Sequence, residues 1–215
     1  MQQMQSHGTP EKSYDLERLV FLTDGVFAIV ITLLAIELHP PANWDGTALG
    51  LWNEAGLSLI AYAVSFVAAG MFWNANRLLF GRIVRFHTGL VFFNMLFLGL
   101  VVLLPFAGTL IFNSKGTGAP VQIYLGLIAA IAFAQALLWG FAFFVARVVD
   151  TRFSQGVALV LMLSMLASPV LISFVALQVS SGVPASSWIW VLPLMFALRF
   201  FRNRALARSN GRKRS

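Results

Sequence analysis

The feature that most constrains this chain is a series of apolar runs too long for a soluble fold. Six segments, at 19–38, 56–79, 89–112, 121–147, 153–179 and 186–201, are built mainly from Leu, Val, Ile, Ala and Phe. A helix that spans a bilayer needs about 20 such residues. Only 11% of the residues are charged, against about a quarter in a soluble domain. The expected fold is therefore all-α and polytopic, with six transmembrane helices. Pro169 and Pro193 fall inside the last two segments, where a kink is expected. The pattern divides the chain into a polar N-terminal segment (1–17), a six-helix domain (18–201) and a basic tail (202–215).

The basic residues set the orientation. Of the 15 Lys and Arg, all but Lys115 fall on one side of a six-span chain: Lys12, Arg18, Arg77, Arg82, Arg85, Arg147, Arg152 and the tail from Arg199 to Arg214. The opposite loops hold Glu37, Asp45 and Glu54. Lys and Arg gather on the cytoplasmic side, so both termini are expected there. An odd number of spans would break the pattern. The net charge of +7 needs no nucleic-acid partner to explain it, although the tail has the composition of an anionic-lipid contact. The first 15 residues are polar and no small-residue cleavage site follows, so the first helix is expected to be retained.

Several chemistries have no residues to support them. The chain has no Cys, and His7, His39 and His87 are scattered, so neither a disulfide framework nor a fixed structural metal site is expected. No acid pair with a His and no Ser-His-Asp set is visible, and no catalytic residue or cofactor is assigned. The second half shows no counterpart of the first helix, as an inverted-repeat transporter would require.

The first apolar run carries an acid, Asp24, between Arg18 and Glu37. A carboxylate inside a span is costly and normally has a partner or a task. Projected at about 100° per residue, Ile29, Leu33 and Ile36 fall on one stripe. Leu22 and Gly25 extend it and Thr32 lies on its flank. Asp24 and Phe27 lie on roughly the opposite face, and Leu34 faces away from the stripe. Two arrangements follow. Either the stripe lines a pathway and Asp24 faces protein, or Asp24 faces the pathway. Gly25, Ala28 and Ala35 allow close approach of neighbouring helices, which suits a helix packed on both sides in an oligomer. A proton-coupled secondary transporter that uses Asp24 is the main rival to a channel, and an inert bundle packs apolar stripes in the same way.

The first helix, with the next two segments, resembles the bacterial branch of the lysosomal potassium channel family, the transmembrane protein 175 family. The resemblance rests on Arg18, Leu22-Thr23-Asp24, Gly25-Val-Phe-Ala-Ile29, Thr32-Leu-Leu34 and Glu37. It continues at Trp73-Asn-Ala-Asn76-Arg-Leu-Leu-Phe80, and at Asn94-Met-Leu-Phe-Leu98, Pro105-Phe106 and Thr109. The family's Phe-Ser-Asp triplet reads Leu22-Thr23-Asp24 here, and its His in the second segment is Asn76. Asn keeps hydrogen bonding but does not titrate near neutral pH.

The resemblance implies a potassium-permeable cation channel in a bacterial inner membrane, built as a homotetramer with the first helix of each chain around the axis. It implies a pore without the usual filter loop, and no Thr-Val-Gly-Tyr-Gly occurs in the chain. Ile29, Leu33 and Ile36 correspond to the apolar constriction and Thr32 to a hydroxyl layer tied to selectivity, so the permeant K+ is expected near Ile29 and Thr32. It also resolves the two arrangements. The stripe faces the pore, and Asp24 joins Arg18, Thr23, Trp73 and Asn76 in a structural network. The implied partners are a second copy of the chain, membrane lipids and monovalent cations.

Overall fold

The computed structural model describes residues 10–42, 44–112 and 118–149. These are all-helical apart from one isolated bridge. Helices α1 (Pro10–Ile36), α2 (Ala48–Phe80), α3 (Thr88–Val101), α4 (Leu104–Phe112) and α5 (Ala119–Gly140) follow in order, and a short π-helical turn at Phe141–Val145 ends α5. By length and composition the described residues contain four candidate spans: Tyr14–Ile36, Ala48–Phe80, Thr88–Ile111 and Ala119–Val145. They coincide with the first four apolar runs. The fifth and sixth runs, Pro169, Pro193 and the basic tail lie outside the described residues, as does Lys115.

Local chemistry fixes the helix ends. Pro10, whose ring presets a helical φ and whose missing N–H is not needed there, is the first residue of α1, inside the segment expected to be a polar leader. Before α2, the Thr47 hydroxyl accepts the Gly50 N–H at 2.9 Å, and one Asp45 oxygen accepts both the Thr47 N–H and its hydroxyl. This is a polar N-cap supported by a second turn residue. The carboxylate of Asp45 is held below its usual pKa by the backbone N–H and then the hydroxyl of Thr47. At α3 the cap is His87, whose Nδ1 accepts from the Gly89 N–H at 3.0 Å. With 33 residues, α2 is about 50 Å long against about 30 Å of hydrocarbon. It must tilt or project into the interface.

The third apolar run forms one candidate span, Thr88–Ile111, whose backbone ladder lapses between α3 and α4. Pro105 has no N–H to give the carbonyl of Val101, so the ladder lapses there. The Leu103 N–H turns to Leu100 at 3.2 Å, a tighter i→i+3 bond, and the α pattern restarts at Leu104. The lapse therefore follows a named cause.

α5 packs against α3 and α4, while α1 lies on α2 and α2 also meets α4. Two apolar clusters hold the bundle. One joins Phe27, Leu34, Phe97, Leu104 and Ile131 from four helices. The other, nearer the start of α1, joins Leu19, Leu79, Leu90, Leu138 and Trp139. The start of α1, the ends of α2 and α5 and the start of α3 therefore share one end of the bundle. Arg18, Arg77, Arg82, Arg85 and Arg147 belong to that end, and Glu37, Asp45 and Glu54 to the other. The charge asymmetry seen in the sequence is thus a physical asymmetry of the bundle.

Candidate pore helix and its polar anchor

α1 has two faces. Leu19, Thr23, Phe27, Val30 and Leu34 recur every three or four residues and are buried against the other helices. The other face holds Ile29, Thr32, Leu33 and Ile36, all exposed on the single chain, with Ile29 60% and Ile36 66% accessible. Gly25 and Ala28 share it. Exposure of bulky apolar side chains in a row means that lipid, a pore or another chain meets this face. The Thr32 hydroxyl donates to the Ile29 carbonyl at 2.8 Å. Its proton is spent on the helix, and its oxygen lone pairs remain directed away from the donor site.

The polar anchor has two limbs that begin at adjacent residues. In the first, Trp73 Nε1 of α2 donates to Asp24 Oδ1 at 2.8 Å. The Arg77 guanidinium lies 5.5 Å from the centre of the same indole and donates to Asn74 Oδ1 at 3.1 Å. A cation over an indole is attracted by its π-face and draws density from the ring, which strengthens the N–H as a donor. The acid is therefore held by a ring that itself carries a cation.

The second limb is buried. The Thr23 hydroxyl donates to the Leu19 carbonyl at 2.8 Å, Asn94 Nδ2 donates to Thr23 Oγ1 at 2.8 Å, and Asn76 Nδ2 donates to Asn94 Oδ1 at 3.2 Å. Two of these bonds tie three helices together, and the third holds Thr23 to its own helix. Thr23, Asn76 and Asn94 are among the few buried polar residues, and Asn94 is fully shielded. In a medium without water such groups must satisfy one another.

Of the residues singled out in the sequence, Asp24 and Trp73 are bonded directly, while Thr23 and Asn76 are joined through Asn94. Asn76 faces Asn94 in α3. Arg18 places its guanidinium over the Tyr14 ring, 5.6 Å from its centre. Asn94 is the hub that the sequence reading left out of the network, although it stood in the quoted third-segment motif. The available signal was a lone amide within the 14 residues of α3, whose other members are apolar except Thr88. It is the same signal that marked Asp24. Two further polar links tie α5 to α2. The Ser65 and Tyr124 hydroxyls pair at 2.8 Å, and Gln135 Nε2 donates to the Phe72 carbonyl at 3.0 Å.

Comparison with known proteins bears on this helix directly. Residues 18–105 match the family described as the endosomal/lysosomal potassium channel TMEM175. A potassium channel of Chamaesiphon minutus is 29% identical over 211 residues, which cover 88% of this chain and 97% of that protein. The crystal structure of a lysosomal potassium-selective channel TMEM175 homolog from Chamaesiphon minutus superposes with a TM-score of 0.58 at 26% identity, covering 86% of this chain and 98% of that one. Over its first helices the chain is similar to the TMEM175 family. A further relative, a potassium channel of Streptomyces collinus, is 32% identical over 129 residues, which span 57% of this chain and 62% of that protein. TMEM175 is a family of channels and not of enzymes. The matched stretch contains all of the exposed stripe, both limbs of the anchor and the break before Pro105. With its four candidate spans, this TMEM175 relative is a multi-pass membrane protein.

Proposed function

We propose that the chain is a potassium-permeable cation channel in which four copies place the exposed face of α1 around a common axis. The observation that carries this reading is the division of α1: Asp24 and Thr23 are bonded into the bundle, while Ile29, Thr32, Leu33 and Ile36 lie on the face that the bundle leaves open. One helix presents one stripe and cannot enclose a path by itself, so several copies are needed. The names of the Streptomyces and Chamaesiphon relatives supply the ion.

The proposed path is narrowest at Ile29. A β-branched side chain is stiff at χ1, so a ring of isoleucines is well defined in width. Such a ring offers an ion no substitute for its water and closes by dewetting, and a small widening rehydrates it. Potassium gives up water more readily than sodium, and the Thr32 oxygens one turn away offset part of that loss. Leu33 and Ile36 continue the apolar lining. Glu37 and Asp45 at the far end of the bundle raise the local cation concentration. In this reading the arginine-rich end, with both termini, lies in the cytoplasm, and the membrane is the bacterial inner membrane.

The test is reconstitution of the purified full-length chain in liposomes, with K+, Na+ and proton flux measured separately. The reading expects K+ flux above protein-free vesicles, larger than Na+ flux and independent of a pH gradient. Flux that occurs only with a proton gradient and disappears in Asp24→Asn would replace the channel with a proton-coupled transporter.

A further inference from the structure

The arginine-rich end of the bundle holds a feature that the pore reading does not use. After the π-helical turn the chain reverses, and the Val84 N–H donates to the Val148 carbonyl at 2.9 Å. Ile83 and Val149 form an antiparallel bridge. This clasp brings the α2–α3 loop to the end of α5. At its centre Arg85 Nη2 donates to the carbonyl of Arg147 at 3.1 Å. Two arginines are thus fastened side by side, one through its side chain and the other through its backbone, and both are exposed.

Arg147 also holds a backbone conformation that its side chain disfavours. Its φ is +48°, and it is the only residue other than glycine among those described with a positive φ. Glycine is the ordinary choice there, because a Cβ crowds the following carbonyl. An outlier of this kind is a reason to look for a function.

The surroundings indicate what that is. Among the described residues, segments 81–87 and 146–149 carry Arg82, Arg85 and Arg147 and no acid. Within three residues of Arg85 or Arg147 along the chain, Val84, Phe144 and Val145 are exposed apolar side chains at the end of the spanning helices. A guanidinium presents paired N–H donors that match two phosphate oxygens, and the apolar neighbours match the upper part of acyl chains. A soluble anion has use for the first and none for the second.

We infer that the clasp of Arg85 and Arg147 binds the phosphate of an anionic phospholipid, with Val84, Phe144 and Val145 against its chains. The site lies at the opposite end of α1 from Ile36 and does not depend on the ion that the protein conducts.

The test is native mass spectrometry of the full chain, extracted in detergent with equal phosphatidylglycerol and phosphatidylcholine, together with thermal unfolding. The expected result is preferential retention of phosphatidylglycerol by the natural chain and a rise in Tm on adding it. Arg147→Gln should lower the retained phosphatidylglycerol about tenfold, as expected for loss of a direct charged contact at the membrane surface. Arg214→Gln removes the same unit charge from the tail and should lower it by less than about twofold, because diffuse attraction is screened in solution. Arg147→Gly guards against misfolding. It relieves the backbone, so Tm without lipid should hold or rise while retention still falls. Equal retention of the two lipids, or an equal loss in Arg214→Gln, would show no more than general attraction by a basic face and would overturn the proposal. Inorganic phosphate alone raising Tm as much as phosphatidylglycerol would overturn it in favour of a soluble anion.

Discussion

Asp24 of α1 and Trp73 of α2 are bonded across 49 residues of sequence, with the indole N–H 2.8 Å from a carboxylate oxygen. The bond fixes the rotation of α1 about its own axis. Turning the helix by one residue would carry Asp24 away from the indole and bring Ile29 toward the bundle. The orientation of the apolar stripe is therefore set by a polar contact a turn and a half away.

Trp73→Phe removes the N–H and keeps the ring. Interhelical hydrogen bonds in membranes are worth about 0.6 kcal/mol on average and up to about 1.7 kcal/mol, so the expected loss lies in that range. Asp24→Ala also removes the acid and should lower the yield of the assembled oligomer before it changes ion preference. Size-exclusion chromatography beside a flux assay checks this. Normal assembly with altered selectivity would place Asp24 in the ion path.

Asn94→Ala deletes the hub of the buried limb. It leaves the Asn76 amide without its acceptor, while the Thr23 hydroxyl loses a donor but keeps its bond to the Leu19 carbonyl, so one unsatisfied group costs roughly 1–3 kcal/mol. A fall in Tm is expected, larger than for Trp73→Phe, and thermal unfolding in detergent measures both.

Asn76→His restores the residue that the family pattern carries at this position. Asn76 is buried, and a protonated imidazole there would be a charge without water around it. The variant should therefore be less stable at about pH 5.5 than at about pH 7.5. The natural chain should show no change from this position, because Asn does not titrate. Unfolding midpoints at the two pH values decide it.

The four described spans were legible because each is a long apolar run, and the charge asymmetry was legible because the arginines cluster between runs. The rotation of α1 was not. Periodicity placed Ile29, Leu33 and Ile36 on one stripe but left open which side faced protein, and the resemblance was needed to choose. Pro105 was passed over as a break because the run around it is apolar on both sides, so composition registers no interruption where the backbone loses a donor. Asn94 was visible as an amide in an apolar helix, but its partners are set by helix packing, which spacing within one helix does not encode. The clasp at Arg147 was hidden for a similar reason, since a positive φ at arginine has no sequence signal.

Ile29→Asn would bring amides into the proposed constriction and favour a wetted path. Cation flux should rise and discrimination between potassium and sodium should fall. Thr32→Ala should reduce discrimination with a smaller effect on flux. Leu34 faces away, but at 1% exposure it is a core residue. Asn there would disturb the fold, so the fair control is the volume-conserving Leu34→Met, which should change neither quantity.

The most direct test of the central claim uses the absence of cysteine from the chain. Ile29→Cys, on the open face of α1, and Val30→Cys, on the buried face, are reconstituted separately in liposomes, and potassium flux is recorded before and after a membrane-impermeant thiol reagent. If the open face of α1 lines the path, the reagent should stop most of the flux through Ile29→Cys and leave that through Val30→Cys unchanged. Block at Val30→Cys with none at Ile29→Cys would contradict the account and put the path on the other side of the helix.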